Sequence, residues 1–132
     1  MKVRFIAGGI GPRFYSIDGE TINSIDLSPL EHGGQFLGND ETEAAGIREA
    51  YRDENGTLHV TLKQGVIASK LPGYKAHWRG TGEEIDTSEY DPSKCYVVPT
   101  GVADLTEGED YVIAWGTDVA GDDGWTIKKV EK

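Results

Sequence analysis

At 132 residues the chain has room for one ordinary domain, and its 37% apolar content is too high for a disordered segment. A formal net charge of −10 argues against the phosphate backbone of a nucleic acid or an anionic membrane surface as partner, because either would be repelled. The 18 glycines and 5 prolines cut the sequence into short runs, which favours strands and turns over long helices.

Lys2 to Ala7 alternates Val3, Phe5 and Ala7 with Lys2, Arg4 and Ile6, the pattern of a first strand. Gly8-Gly9-Ile10-Gly11-Pro12 then interrupts it. A phosphate-cradling loop would need a third glycine where Phe14 stands and a helix where Phe14-Tyr15-Ser16-Ile17 reads as strand, so a structural loop is expected. Arg13 to Ile17 forms a second strand, Asp18-Gly19 the hairpin turn, and Thr21 to Ile25 the returning strand with Ile22 and Ile25 as its apolar members. Asp40 and Glu43 have capping-box spacing and predict a helical turn over 40–45; a full helix from Glu41 to Arg52 is the alternative, disfavoured by Gly46 at about 1 kcal/mol relative to alanine.

Ile47 to Gln64 carries the clearest signal. Leu58, Val60 and Leu62 alternate with polar residues after the turn-forming Asp53-Glu54-Asn55-Gly56, which predicts a β-hairpin with Ile47 and Tyr51 facing Leu62 and Leu58. Gly65 to Gly82 is irregular and, with Lys63, Lys70, Lys75, His77 and Arg79 in or beside it, the most basic stretch. From Glu83 to Asp123 twelve carboxylates stand against the single Lys94. Thr87 to Pro92 reads as a helical turn, and Cys95 to Val98 as a short strand stopped by Pro99 and Gly101. Tyr111 to Trp115, apolar throughout, predicts a strand covered on both faces, paired as a hairpin with Trp125 to Val130. The expected fold is mainly β: residues 1–132 as a single compact domain of short antiparallel strands and hairpins with at most one or two short helices.

No catalytic or cofactor motif emerges. Cys95 stands alone, so it forms no internal disulfide, suits a reducing compartment and reads as a buried thiol. His32, His59 and His77 lack ligand spacing for zinc, and His59 on the polar side of its strand reads as solvated. Asp118, Asp122 and Asp123 before Gly124 miss the spacing of a calcium loop. Neither a metal nor a cofactor is expected. Glu83, Glu84 and Asp86 supply carboxylates for an acid–base pair, though chance pairs are common in so acidic a chain. Tyr74, His77, Trp78 and Arg79 form the one candidate binding cluster, of residue types enriched at binding hot spots. The competing reading puts Trp78 into the core and leaves Arg79 to balance nearby acids. The apolar run after Lys2 and Arg4 is too short for a signal peptide, and no stretch approaches the roughly 20 apolar residues that span a bilayer.

Gly11-Pro12-Arg13-Phe14-Tyr15-Ser16-Ile17-Asp18-Gly19, the Leu27-Ser28-Pro29-Leu30 step, and Ala50-Tyr51-Arg52-Asp53 leading into Leu58-His59-Val60-Thr61-Leu62 are similar to a known group. So is Tyr90-Asp91-Pro92 followed by Cys95-Tyr96-Val97-Val98-Pro99. In these features the chain resembles small uncharacterised proteins encoded in the tail regions of tailed phages and prophages. The resemblance implies a non-enzymatic structural or assembly role, in the host cytoplasm or on the virion, through contacts with protein partners or with further copies of itself as a homo-oligomer. It offers no catalytic residues to carry over, and the net charge already argues against a nucleic-acid or membrane partner. Two other readings stay open: a small ligand-binding module, with carbohydrate as a candidate ligand, stacking on Trp78, Trp115 or Trp125, and a small hydrolase using Glu83, Glu84 and Asp86.

Overall fold

The computed structural model describes residues 1–8, 14–37, 40–71, 73, 77–80, 83–100, 102 and 104–130, with side chains for all but 36, 37, 40, 41, 77, 79 and 80. The first half contains β1 (Lys2–Gly8), β2 (Ile17–Asp18), β3 (Thr21–Ile22), β4 (Ile25–Asp26), β5 (Gln35–Leu37), α1 (Asp40–Ala44) and β6 (Ile47–Arg52). The second contains β7 (Leu58–Gly65), β8 (His77–Gly80), β9 (Ile85–Asp86), β10 (Val97–Thr100), β11 (Tyr111–Thr117) and β12 (Asp123–Lys129). The protein is mainly β, as its turn-rich composition predicts. A five-stranded sheet in the order β5-β6-β7-β1-β9 is joined by the pairs β10-β8 and β11-β12 and by the meander β2-β3-β4.

The hairpin β6–β7 forms as predicted, but one residue changes its consequences. Ile47 faces Leu62, after which the register shifts, so that Tyr51 faces His59 and Arg52 faces Leu58. Arg48 and Glu49 are both exposed in succession, the mark of a β-bulge. Because side chains alternate with period two, the extra residue flips everything after it: Ala50 and Arg52 turn inward and Tyr51 turns out. The buried Arg52 guanidinium then gains partners. It bonds both carboxylate oxygens of Glu20 at 2.8 and 2.9 Å, the carbonyl of Leu30 at 2.5 Å and that of Gly56 at 3.0 Å. This holds the Glu20 carboxyl below its ordinary pKa and ties the first loop to the hairpin.

Among the described strands every pairing is antiparallel except that of β1 with β7, which run parallel at the centre of the sheet. Their inward residues Val3, Phe5, Val60 and Leu62 make the heart of the core. The returning strand after Gly19 is shorter than predicted. Asn23 and Ser24 both take positive φ, 47° and 72°, and this tight turn divides the run into β3 and β4. The Asn23 side chain accepts from the Ser16 N–H and donates to the Ala45 carbonyl, which holds the strained pair in place.

Two expectations near the C-terminus are corrected. The strand predicted over Cys95 to Val98 starts at Val97 and runs through Pro99, which lies opposite Trp78; a proline is tolerated because β10 is the edge of a two-stranded pair. The strand covered on both faces is β12, not β11. Gly124, Trp125, Thr126 and Ile127 are buried in succession, whereas Val112 on β11 is 38% exposed. The cause is the segment after β7. The Ile67 N–H bonds the Trp125 carbonyl at 3.0 Å, the Lys70 N–H bonds the Ile127 carbonyl at 2.9 Å, and the Thr126 hydroxyl bonds the Ala68 carbonyl at 2.7 Å. A second, smaller core of Leu71, Val102, Tyr111 and Ile127 forms beneath.

Candidate functional site

The sequence-predicted cluster is not assembled as a site. Tyr74 lies outside the described residues, as do the side chains of His77 and Arg79, whose backbones sit in β8 opposite Thr100 and Val98. Trp78 is half-buried and packs against both hydrophobic cores. Its indole N–H is buried with no hydrogen-bond partner among the described residues, so its ring is committed to packing.

His59 is not the solvated residue its place in the strand suggested. Its side chain is only 15% exposed and its ring stacks on Tyr51 at 4.6 Å with planes 8° apart. Nδ1 lies 2.6 Å from Glu84 Oε2, and Nε2 lies 2.9 Å from Asp53 Oδ2. Asp53 is held by its own turn, since its other oxygen accepts the N–H groups of Asn55 and Thr57. Glu84 also approaches Arg4 at 3.6 Å. Burial alone would favour the neutral ring, but the hydrogen bonds to Asp53 and Glu84 outweigh it and raise the His59 pKa. With both nitrogens occupied, the ring has no free position from which to move a substrate proton. It fastens the hairpin turn to β9.

A pH dependence follows from the sign of that shift. A raised histidine pKa contributes stability that is fully present below its unfolded value of about 6.5 and is lost as pH rises through the folded value. Asp53 is shifted down, first by its bond to His59, so its contribution is present above about 3.9 and disappears on acidification. Urea unfolding should therefore show stability falling from pH 6 into the alkaline range, and His59→Gln should flatten that fall. An unchanged slope in the variant would contradict the assignment.

The remaining candidates for chemistry are engaged in local structure. The Cys95 thiol donates to the Val97 carbonyl at 3.3 Å, and burial pushes its pKa up to about 11, away from a reactive thiolate. Asp86 caps the 3₁₀ turn Thr87–Glu89 by accepting from the Ser88 N–H and hydroxyl at 3.0 Å each. Glu84 serves His59, and Glu83 is exposed. Asp118 accepts the N–H groups of Ala120 and Asp122, while Asp123 accepts the Thr117 hydroxyl, so these two carboxylates hold the β11–β12 loop. Among the described residues no group of three or more His, Cys, Asp or Glu is placed to hold a metal ion.

Among the described residues, a surface with hollows lies between the β11–β12 ribbon and residues 92–98. Trp115 and Trp125 face each other across the ribbon, with rings edge to face at 5.8 Å. With Phe14, Pro92 and Ser93 they line a cavity of about 420 Å³. Ser93 and Trp125 also border a second hollow of about 330 Å³, whose walls include Lys94, Val97, Val98, Glu107 and Ile113. The two hollows share Ser93 and Trp125 and make up a crevice in whose lining Phe14 is 58% exposed and Trp125 is buried. Hairpin register made the Trp115–Trp125 pairing accessible to sequence reasoning; the arrival of Phe14 and Pro92 from elsewhere in the chain was not.

Among the described residues no helix is long and apolar enough to cross a membrane. Compared with family models, curated proteins and solved structures, the chain matches none.

Proposed function

We propose that the protein is a non-enzymatic component of a phage or prophage tail region, a structural part or an assembly factor that works through contacts with other proteins. The observation that carries this reading is the aromatic crevice. An exposed Phe14 and the half-buried Trp115, set against the buried Trp125, are residue types that proteins keep for partners. The commitment of His59, Glu84, Asp86 and Cys95 to internal bonds supports a binding role over a catalytic one. The resemblance described above supplies the tail region. Light scattering after size exclusion at low and high salt tests the structural version, because such parts act in closed symmetric assemblies. A trimer or hexamer that persists at both salts is expected of a structural part; a monomer at both leaves only the assembly factor.

A second reading has its own observation. The half-buried Trp115 beside Ser93, with Glu107 in the neighbouring hollow, also suits a sugar ring, with a stacking face and hydrogen-bonding groups at the rim. Saturable change in tryptophan fluorescence on titrating a panel of sugars would favour it, and no change across the panel would remove it.

A further inference from the structure

His59 cannot keep both of its hydrogen bonds as a neutral ring. A neutral imidazole carries one N–H and one bare nitrogen, yet Nδ1 lies 2.6 Å from Glu84 Oε2 and Nε2 lies 2.9 Å from Asp53 Oδ2. Only the imidazolium donates to both carboxylates. Without its proton, one nitrogen lone pair would face a carboxylate oxygen. The charges around the ring fit the protonated state. Lys2 of β1 lies beside His59 in register and pairs with Asp86 at 3.7 Å, and Arg4 approaches Glu84 at 3.6 Å. Lys2, Arg4 and a charged His59 thus stand against Asp53, Glu84 and Asp86. Glu49 of β6 and Lys63 of β7 lie farther along the same face, and Tyr51 of β6 covers the ring.

The two carboxylates are held unequally. Asp53 is fixed within its turn, where it accepts the N–H groups of Asn55 and Thr57 and its own N–H bonds the Thr57 carbonyl at 2.9 Å. Glu84 adjoins β9, a two-residue strand at the edge of the main sheet. Among the described residues β9 pairs with β1 at Lys2–Asp86 and Val3–Ile85 alone, and the Thr87 N–H extends that ladder to the Met1 carbonyl at 3.1 Å. Bonded pairs alternate along an antiparallel ladder, so Ile85 and Val3 are the other bonded pair.

We propose that His59 is a proton-operated latch on β9. Its charged ring holds Glu84, and with it the edge strand, against the sheet. Loss of the proton releases Glu84 to Arg4 and lets residues 84–87 part from β1 while the β6–β7 hairpin stays paired. The parted strand uncovers the β1 edge at Met1 and Val3, a sheet edge hidden on the acid side and open on the alkaline side. Burial works against the charged ring, but the bonds to Asp53 and Glu84 outweigh it, so the closed latch keeps its proton above the ordinary histidine range. Opening therefore becomes easier as pH rises above the free ring's value of about 6.5. The fall in stability described for His59 then begins at one edge rather than throughout the fold.

Amide exchange of the intact protein at low urea, corrected for the intrinsic rate and followed by NMR from about pH 6 to about pH 9, tests the latch. Ile85 and Thr87 should exchange through an opening that urea does not promote, and its equilibrium constant should rise about tenfold over that range, the weight of one charge-assisted bond. Lys63, whose N–H bonds the Gly46 carbonyl at 2.9 Å within the hairpin, should exchange only through the urea-sensitive global opening. Ring-nitrogen spectra at the acid end should show both His59 nitrogens protonated. Glu84→Gln offers the neutral ring an amide donor in place of a carboxylate, so the latch should stay shut and the rise shrink to less than about twofold. His59→Gln should remove the rise as well; if it fails to fold, Glu84→Gln at the sheet edge still carries the test. A neutral His59 at the acid end, an Ile85 opening that ignores pH, an unchanged rise in Glu84→Gln, or exchange of Ile85 and Thr87 only together with Lys63 would overturn the proposal.

Discussion

Gly46→Ala should lower the unfolding free energy by roughly 2 to 5 kcal/mol, the sum of backbone strain and forced repacking. Gly46 follows α1 at φ +89°, where a side chain is strained by about 1–2 kcal/mol. A Cβ there would also lie 2.7 Å from the Tyr15 ring. Tyr15 cannot yield cheaply. It is 5% exposed, its ring packs at 6.2 Å from Phe5, and its hydroxyl donates to the carbonyls of Gly46 and Lys63. Burial of that hydroxyl, the largest influence, raises its pKa, in keeping with a neutral phenol that acts as donor. Urea denaturation of a double-mutant cycle with Tyr15→Ala separates the two contributions. In that background Gly46→Ala should cost only the strain of about 1–2 kcal/mol, and equal costs in both backgrounds would show that the ring is not what the methyl meets.

Gln64→Leu should cost roughly 2 to 6 kcal/mol, since it strands two backbone donors at about 1–3 kcal/mol each. Gln64 is 3% exposed at the end of β7. Its side-chain oxygen accepts the N–H groups of Tyr96 at 2.5 Å and Val97 at 3.1 Å, and its amide nitrogen donates to the Lys94 carbonyl at 3.2 Å. One side chain therefore replaces the missing ladder between the main sheet and residues 94–97, which form a wall of the crevice. The substitution should be felt in the crevice as well as in stability, as a changed tryptophan emission under native conditions. A loss below about 1 kcal/mol, in the range of an ordinary surface substitution, would mean that the orphaned groups find other partners.

The sequence carried the local features well and the long-range ones poorly. Asn55-Gly56 and the alternation of Leu58, Val60 and Leu62 set the hairpin without help from the rest of the chain, and Asp40 with Glu43 located α1. The bulge at Arg48 left no sequence signal, because an exposed arginine suits either register; yet it decides that Tyr51 faces outward and Arg52 inward. The uniformly apolar Tyr111 to Trp115 would place the burial of the last hairpin on β11. It belongs to β12, where Thr126 is buried through a bond to Ala68, 58 positions earlier in the chain. The environment of His59 was hidden for the same reason: Glu84 is 25 residues away and reaches the ring only through the pairing of β9 with β1. Of the crevice, Trp115 and Trp125 were legible as candidate platforms, whereas Phe14 was not, since nothing near Phe14 in sequence announces the distant ribbon.

The most direct measurement is mass spectrometry of particles and tail-assembly intermediates purified from a host that carries the gene. Peptides of this chain should be found in the finished tail if it is a structural part, or in the intermediates alone if it is an assembly factor. Absence from both fractions, with the protein abundant in the same cells, would contradict a tail-region role and leave the crevice in need of a different partner.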